Sequence, residues 1–314
     1  MNCLLCHRTV EKVIASKLRN NENGEVLYCP VCELGMLNNT YTEEGLKAYY
    51  NSFYRKQYTP EIGVESNPQE LFDIYSKFQN NRIDIIKGYL NKDMRLLEIG
   101  CSAGMFLYHI KEHVREIMGI DYDSASASFA ENKCSCKVYR DDIQNTDIEM
   151  GSLDIICILS TLEHVRNPYD LILNCKKHLK PKGLIYIEVP NLKDALLNEY
   201  DVPSYNEFYF TTAHLWYFTA NSLIELMKKS GFQGERFYVQ EYNIMNHFHW
   251  IDSETPQKDC IPGLSVPCFP LQKNVNSATG DKLNDFMKEI DFRYKEILIN
   301  LGITSSVSFI GRMI

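Results

Sequence analysis

The chain lacks an apolar run of the roughly 20 residues that a membrane-spanning helix needs. Its first residues also lack the basic segment and apolar stretch of a secretory signal peptide. We therefore expect a cytoplasmic protein without a membrane-spanning segment. In a reducing cytoplasm the 11 cysteines would bind metal or pack as small hydrophobic side chains, because disulfides rarely persist there.

An excess of positive charge is also missing. The 314 residues carry 33 lysines and arginines against 41 aspartates and glutamates, which gives a net charge of −8. Proteins that bind nucleic acid through its phosphates need a basic face. The first 40 residues offer no such face, since their four basic side chains are matched by four acidic ones. The composition therefore argues against a nucleic-acid partner.

Four cysteines near the start of the chain form two Cys-x-x-Cys pairs separated by 22 residues, namely Cys3 with Cys6 and Cys29 with Cys32. Zinc binds four thiolates tetrahedrally, and a complete set leaves no open position for catalysis. A module of about 40 residues is too small to fold on its own core, so metal would supply the missing stability. The spacing predicts structural Zn²⁺ in a zinc-ribbon module; four unrelated reduced thiols are the alternative.

A tyrosine-rich segment, residues 49–58, follows the cysteine module and completes a first unit expected to span residues 1–60. Its four tyrosines and one phenylalanine are suited to lining a ligand cleft, but they suit packing between domains equally well. Pro60, Gly63 and Pro68 then mark a linker.

From residue 69 the apolar residues recur mostly at three- and four-residue steps, which predicts helices. The period then changes: a buried strand at 95–99, a turn at 100–104, a helix at 105–113 and a strand at 117–120 form a βαβ unit. Such a crossover implies a parallel sheet. The further predicted elements are strands at 137–139, 153–159 and 184–189, helices at 168–179, 222–230 and 282–300, and a final antiparallel pair at 237–239 and 244–251.

Chemistry is expected at the turn Gly100–Gly104 and at Asp121, because open α/β sheets bind ligands at the carboxyl ends of their strands. The two glycines let the backbone approach a cofactor closely. Asp121 follows Gly100 by 21 residues, near the spacing of roughly 20 at which an acid binds ribose hydroxyls. This spacing suits NAD as well as a methyl donor. However, the turn reads Gly-Cys-Ser-Ala-Gly and lacks a glycine of the dinucleotide fingerprint.

Five features in fixed order resemble the class I S-adenosylmethionine-dependent methyltransferases over roughly residues 70–250. They are Leu96–Gly104, Asp121, Arg140–Ile143, Leu153–Val165 and Lys180–Pro190. The resemblance implies a Rossmann-like α/β domain over residues 69–251, with a mostly parallel sheet of seven strands. The zinc-ribbon module precedes this domain, and residues 252–314 follow it as a helical extension of unknown role.

The same resemblance implies a site for S-adenosylmethionine. Gly100, Ser102 and Gly104 would form the loop under the methionine part of the cofactor, and Glu98 would hold that loop and the amino end.

The ribose hydroxyls would bind Asp121 by the same resemblance. Asp142 would face the adenine amine, and Asp141 is the alternative for that role. Leu159 would line the methyl-transfer site.

A four-cysteine module before such a domain resembles the sugar C-methyltransferases, which act on nucleotide-linked deoxysugars. In those enzymes a histidine in a segment resembling Tyr-x-Glu-His-x-x-Tyr-Phe supplies base chemistry, and here that histidine is His214. The tyrosine and glutamate of the pattern are Thr211 and Ala213. Carbon methylation needs proton removal next to a ketone, which the missing pair would assist, whereas a hydroxyl needs only one base.

We therefore expect methyl transfer to oxygen, or to nitrogen, on a sugar, nucleotide-sugar or similar small polar acceptor. His214 is the expected base, and His164 is the next candidate. Four other functions stay open: C-methylation of a nucleotide-linked ketosugar, methylation of RNA or another substrate, NAD-dependent oxidation of a nucleotide sugar, and a non-catalytic scaffold. The sequence does not determine the acceptor, the role of residues 252–314 or the oligomeric state.

Overall fold

The computed structural model of the chain describes residues 1–39, 41–52, 54, 59–273 and 276–314. These residues form two sheets, one of four strands and one of seven. The strands are β1 (Val13–Leu18), β2 (Glu22–Cys29), β3 (Leu34–Asn38), β4 (Arg95–Ile99), β5 (Glu116–Ile120), β6 (Lys137–Tyr139), β7 (Leu153–Leu159), β8 (Leu179–Pro190), β9 (Trp216–Tyr217), β10 (Phe232–Val239) and β11 (Ser306–Met313).

Twelve α-helices occur in the described residues, and the longest lies close to the last strand. They are α1 (Glu43–Ser52), α2 (Pro68–Tyr75), α3 (Asn80–Ile86), α4 (Met105–Ile110), α5 (Ser124–Cys134), α6 (Pro168–His178), α7 (Ala195–Asn198), α8 (Pro203–Tyr209), α9 (Ala220–Lys229), α10 (Ile244–Ser253), α11 (Ile261–Leu264) and α12 (Ser277–Leu301). Among the helices so described, none combines the length and the apolar character that crossing a membrane requires.

The seven-stranded sheet has the order β10-β11-β8-β7-β4-β5-β6, and β11 alone among these strands runs antiparallel to both neighbours. Its interior strands are apolar on both faces, as expected of a sheet that is covered by helices on each side. Leu97 and Ile156 pack in one hydrophobic cluster. Leu96 and Ile155, one residue earlier on each strand, pack in the other. The prediction of a mostly parallel, Rossmann-like sheet of seven strands is confirmed.

The end of this sheet differs from the prediction. Residues 244–251 do not pair with 237–239, because they belong to helix α10, and β10 pairs with β11 instead. The Asn243 side chain caps α10 by accepting a hydrogen bond from the Asn246 amide at 3.0 Å. A short apolar run does not by itself distinguish a strand from a helix. Here the capping side chain of Asn243 favours the helix.

Strand β11 comes from the segment that was predicted to be a helical extension. It lies between β8 and β10, and Val307 and Phe309 are at most 1% exposed. The predicted boundary at residue 251 is therefore corrected in one respect: residues 306–313 belong to the interior of the large sheet. The helix expected in this segment is present as α12.

The four-stranded antiparallel sheet joins the amino-terminal residues to a distant part of the chain. Its order is β1-β2-β3-β9. Gly35 and Met36 of β3 pair with Tyr217 and Trp216 of β9. Because β9 begins two residues after His214, the amino-terminal sheet holds the segment that carries the predicted base.

Candidate functional site

A cavity of about 1350 Å³ opens where β4, β5, β7 and β8 end at their carboxyl termini. All but one of the predicted cofactor-binding and catalytic residues line it. These are Glu98, Gly100, Ser102, Asp121, Asp142, Leu159, His164 and His214. Gly104 is the exception, since it forms the amino-terminal cap of α4. The structure therefore brings the two predicted histidines and the predicted cofactor residues to one place.

The turn after β4 requires glycine at its first position. Gly100 has a φ of +78°, and a Cβ atom there would lie 2.1 Å from the Thr161 hydroxyl oxygen. Both the left-handed backbone and the close approach of Thr161 exclude a larger residue. The Gly100 and Cys101 amides donate to the Ile120 carbonyl at 2.8 and 3.1 Å, which ties the turn to β5.

Asp121 connects this turn to the loop after β5. Its carboxylate accepts one hydrogen bond from the Ser102 amide at 2.6 Å and another from the Asp123 amide at 2.9 Å. Both are backbone donors, so the carboxylate is fixed at the rim of the cavity. The distance in sequence between Gly100 and Asp121 predicted this proximity.

Glu98 lies beneath the turn and is 4% exposed. Its Oε2 atom has no hydrogen-bond partner among the described residues. Burial raises the pKa of this carboxyl well above its usual value, and the nearby Arg82 opposes that shift. A buried carboxylate oxygen without a partner is costly. The position is therefore suited to a positively charged hydrogen-bond donor.

Asp142 and Asp141, the two candidates for the adenine end, are used differently. Asp142 lines the cavity, and its side chain is 19% exposed. Asp141 is 53% exposed and accepts hydrogen bonds from the Asp142 amide at 2.8 Å and the Asn145 amide group at 3.1 Å. Lys47 Nζ donates to both carboxylates, at 3.1 Å to Asp141 and 2.7 Å to Asp142. Of the two aspartates, Asp142 is the one that lines the cavity.

Glu163 lies beside His164 and His214, two histidines that line the cavity. The two imidazole rings are 4.8 Å apart between centroids, and His164 Nε2 lies 3.8 Å from Glu163 Oε1. The ligand atoms of the three side chains all lie within 4.8 Å of one another, so they could also hold a cation. His164 Nδ1 donates to the Ala213 carbonyl at 2.9 Å, next to His214 in the chain.

Burial favours the neutral forms of Glu163 and His214. The pKa of Glu163 is raised to about 8 by burial, and its Oε2 has no partner among the described residues. The pKa of His214 lies well below its ordinary value, first because of burial and second because of the neighbouring His164. His214 is therefore a neutral imidazole at pH 7, able to accept a proton.

The backbone around His214 is held from two sides. The Leu215 amide donates to the Glu163 carbonyl at 2.8 Å, and the Trp216 indole donates to the Val165 carbonyl at 2.8 Å. From the other side, the Leu37 amide of β3 donates to the Leu215 carbonyl at 2.9 Å. The position of His214 thus depends on both the segment that follows β7 and the amino-terminal sheet.

Part of the tyrosine-rich segment lines the cavity, as one of its two interpretations expected. The rings of Tyr50 and Tyr54 lie 5.6 and 5.5 Å from the His164 ring, edge to face. The Tyr50 hydroxyl donates to the Ala213 carbonyl at 3.2 Å. Phe53 and residues 55–58 lie outside the described residues.

A buried ion pair that was not predicted from the sequence joins Arg82, which lines the cavity, to the large sheet. Arg82 of α3 lies 2.6 Å from the carboxylate of Glu188, which is on β8 and fully buried. Arg82 also donates to the Ser160 hydroxyl at 3.0 Å. A glutamate inside the apolar strand 184–189 was the available signal, but its partner is 106 residues away in sequence. The pair joins α3 to the ends of β7 and β8.

Replacing Arg82 by methionine is expected to lower the free energy of unfolding by about 3–5 kcal/mol, because Glu188 would be left buried without its counter-charge. Urea unfolding followed by circular dichroism measures the change. The double variant Arg82→Met/Glu188→Met should recover much of the loss. Arg115→Met, at an exposed position, is the control and should stay within about 0.5 kcal/mol of wild type. An Arg82→Met loss no larger than that of the control would contradict this account.

The four cysteines of the predicted zinc module lie together. Their sulfur atoms are all within 4.8 Å of one another, and the Cys6 and Cys29 sulfurs are 3.7 Å apart. Tetrahedral zinc with Zn–S bonds of about 2.3 Å places its ligands about 3.8 Å apart. The cluster therefore has the donor atoms and the spacing of a four-thiolate zinc site.

Comparisons with known proteins agree with this geometry. A family model described as a methyltransferase domain matches residues 68–236. A "Ubiquinone biosynthesis O-methyltransferase" from Rickettsia bellii is 27% identical over 130 residues, which cover 40% of this chain and 51% of that protein. One of the same name from Coxiella burnetii is 28% identical over 105 residues, covering 32% of this chain and 45% of that protein. The chain thus spans about half the length of these curated relatives.

Solved structures show a similar fold. A SAM-dependent methyltransferase from Archaeoglobus fulgidus aligns with a TM-score of 0.50 at 19% identity, covering 77% of this chain and 99% of that one. A chain from the complex between the Haloferax volcanii Trm112 methyltransferase activator and the putative methyltransferase aligns with a TM-score of 0.51 at 11% identity. That alignment covers 88% of this chain and 99% of the other. At these identities the likeness concerns the fold alone.

Proposed function

Because the chain belongs to the family of methyltransferase domains, we propose that it transfers a methyl group from S-adenosylmethionine to a hydroxyl of a small polar acceptor. The prediction of a class I S-adenosylmethionine-dependent methyltransferase domain is confirmed by the family match and the fold. The names of the curated relatives support transfer to oxygen. These names give no support to the expected resemblance to sugar C-methyltransferases. A carbohydrate acceptor is therefore our proposal, and it rests on the lining of the cavity.

One observation carries the proposal: residues 100–102 of the glycine turn line the same cavity as His164 and His214, and Glu163 lies beside those two histidines. S-adenosylmethionine supplies an electrophilic methyl group on its sulfonium. The residues present suit this cofactor, because the unpartnered Glu98 oxygen can accept a hydrogen bond from its ammonium group.

The other cofactor contacts follow from the same orientation. Asp121 would accept hydrogen bonds from the ribose hydroxyls, and Asp142 would accept one from the adenine amine. Leu159, at the end of β7, would then line the position of the methyl group. These assignments place the sulfonium toward the histidine cluster.

We assign the proton transfer to His214. Its neutral imidazole would accept the proton of the acceptor's hydroxyl group. Bound S-adenosylmethionine would supply the methyl group that this oxygen takes up, and S-adenosylhomocysteine would be the leaving product. His164 supports this geometry, since it binds the carbonyl of Ala213 immediately before His214. One base near the acceptor suffices for a hydroxyl, and the positions Thr211 and Ala213 provide no second base.

The walls of the cavity favour an acceptor that has both polar groups and a flat apolar face. Arg82, Glu241 and Asn246 offer hydrogen-bonding groups. Trp216 and Tyr50 offer rings on which a sugar or another cyclic molecule could stack. This combination supports a sugar, a nucleotide-sugar or a similar cyclic polyhydroxyl compound as the acceptor.

For the amino-terminal module, residues 1–60, we propose one structural Zn²⁺ on Cys3, Cys6, Cys29 and Cys32. The sulfur spacing supports this assignment. The module has a second consequence, because β3 of its sheet pairs with β9 next to His214. We infer that zinc helps to position the base without contacting it.

Asp121→Ala is expected to weaken binding of S-adenosylmethionine at least about ten-fold, because a hydrogen bond to a charged group contributes about 1.5–3 kcal/mol. Isothermal titration calorimetry measures this affinity directly. Asp84→Ala, at an exposed position outside the cavity, should bind as wild type does. If Asp121→Ala also binds as wild type does, the assignment of Asp121 to the ribose is wrong.

A further inference from the structure

We propose that Lys47 of helix α1 is a positioning residue for the cofactor: its ammonium group fixes the Asp142 carboxylate in the orientation that recognises the 6-amino group of adenine. This inference rests on the proposed function, since it presumes that Asp142 faces adenine. Lys47 lies outside residues 68–236, the range that the family model matches. The amino-terminal part of the chain would therefore complete the cofactor site of the methyltransferase domain.

The Asp142 carboxylate is held at both of its oxygens. Lys47 Nζ lies 2.7 Å from Oδ2, and the Tyr122 hydroxyl donates to Oδ1. The Lys47 ammonium also lies 5.2 Å from the centre of the Tyr122 ring, so the two donors support each other. Asp142 comes from the loop after β6, Tyr122 from the loop after β5, and Lys47 from α1. Three separate segments thus meet at one carboxylate.

Helix α1 forms one wall of the cavity, from its cofactor end to its acceptor end. Leu46, Lys47 and Tyr50 all line the cavity, which places them on one face of the helix. Leu46 is 9% exposed and anchors this face. Lys47 contacts Asp142 at one end, and Tyr50, one turn later, contacts the ring of His164 at the other. The helix is therefore well placed to support both halves of the site.

An anchored carboxylate still has the capacity to bind adenine. Each carboxylate oxygen has two lone pairs, and Lys47 and Tyr122 use one on each oxygen. A free lone pair remains for an N–H donor, and the side chain loses little conformational freedom when the ligand binds. Lys47 Nζ also lies 3.1 Å from Asp141 Oδ1. Asp141 does not take the place of Asp142, because it does not line the cavity and its side chain is 53% exposed.

If Lys47 holds the Asp142 carboxylate in one orientation, the site should bind adenine more tightly than hypoxanthine. Adenine presents an N–H donor at position 6, whereas hypoxanthine presents a carbonyl oxygen that would face the carboxylate. A site that is built to hydrogen-bond one group strongly rejects an analogue that lacks it, because the buried polar group is left unpaired. Without Lys47 the carboxylate can turn away from the carbonyl oxygen, so the preference should shrink.

The test is calorimetric titration with S-adenosylhomocysteine and with S-inosylhomocysteine. For the wild type we expect a preference for the adenine compound of at least about 100-fold. Lys47→Met keeps the apolar stem and the helix propensity, and it should reduce this preference to about ten-fold or less. Lys47→Arg retains the charge and should restore most of the preference. Lys87→Met is the matched control, since Lys87 pairs with exposed Asp84 outside the cavity.

A double-mutant cycle with Asp142→Ala localises the effect. If Lys47 acts through Asp142, Lys47→Met should change the preference no further once Asp142 is alanine. An unchanged preference in Lys47→Met, or an equal weakening of both ligands, would overturn the inference. Wild-type protein that binds neither compound would instead refute the proposed function, and the inference with it.

Discussion

Replacing His214 by glutamine is expected to lower kcat by about 100- to 10,000-fold, the usual cost of losing a general base. Cofactor affinity should stay close to the wild-type value, because His214 lies at the acceptor end of the cavity. The rate is measured as release of S-adenosylhomocysteine with a panel of nucleotide-linked hexoses and small phenols. His113→Gln, at an exposed position, is the control.

The pH dependence of the wild-type rate gives a second measure. Burial and His164 lower the pKa of His214, so the base stays neutral until the pH falls below its ordinary pKa of about 6.5. Titration of His214 should therefore lower the rate only at pH values more acidic than 7. A change of rate near pH 8 would report Glu163, whose pKa burial raises to about 8. A His214→Gln variant with normal turnover would make His214 a structural residue and leave His164 as the candidate base.

The same assay tests the other chemistry that the cluster permits. Glu163, His164 and His214 present one carboxylate and two imidazoles, a donor set found around divalent cations. Turnover lost in EDTA and restored by added Fe²⁺, Co²⁺ or Mn²⁺ would identify a cation site there. Turnover that EDTA leaves unchanged supports His214 as the base.

Cys29→Ser is expected to abolish the proposed binding of zinc and to lower kcat at least about ten-fold. Structural zinc in small modules contributes about 10–16 kcal/mol to folding, so the amino-terminal sheet should lose its order with the metal. That sheet supplies the Leu37 amide that binds the Leu215 carbonyl beside His214. The cofactor turn is tied to β5 of the large sheet, so we expect a smaller change in cofactor affinity than in kcat.

Elemental analysis and the turnover assay together check this result. Cys268→Ser is the control, because Cys268 is exposed and lies outside the cluster. It should keep one zinc per chain and full activity. A Cys29→Ser variant that retains full zinc would remove the metal assignment, and one that loses zinc with normal kcat would remove the link to His214.

The large sheet and most of the cavity could be predicted because their signals are local. A buried strand, a glycine turn and an acid after the next strand follow one another within about 25 residues, from Arg95 to Asp121. Once the strands are parallel, their carboxyl ends must share an edge. For this reason the turn Gly100–Gly104 and Asp121 meet in the structure, and the loop with Asp142 reaches the same cavity.

The remaining features depend on contacts between distant residues, for which the sequence holds no local signal. β11 pairs with β8 across more than 100 residues. The apolar residues of β11 do not indicate which strands it pairs with. Lys47 reaches Asp142 from 95 residues away. Helix α10 was predicted as a strand because its apolar run also suits a strand, and only the Asn243 cap distinguishes the two.

A crystal structure of the protein with S-adenosylhomocysteine tests the central claim most directly. The account predicts the homocysteine portion over Gly100–Gly104, with its amino group at Glu98, the ribose at Asp121 and the adenine at Asp142. The sulfur should face His214. Two results would contradict the proposal that one cavity holds both the cofactor and the base. In one, the ligand binds elsewhere; in the other, it binds in this cavity with its sulfur directed away from the histidines.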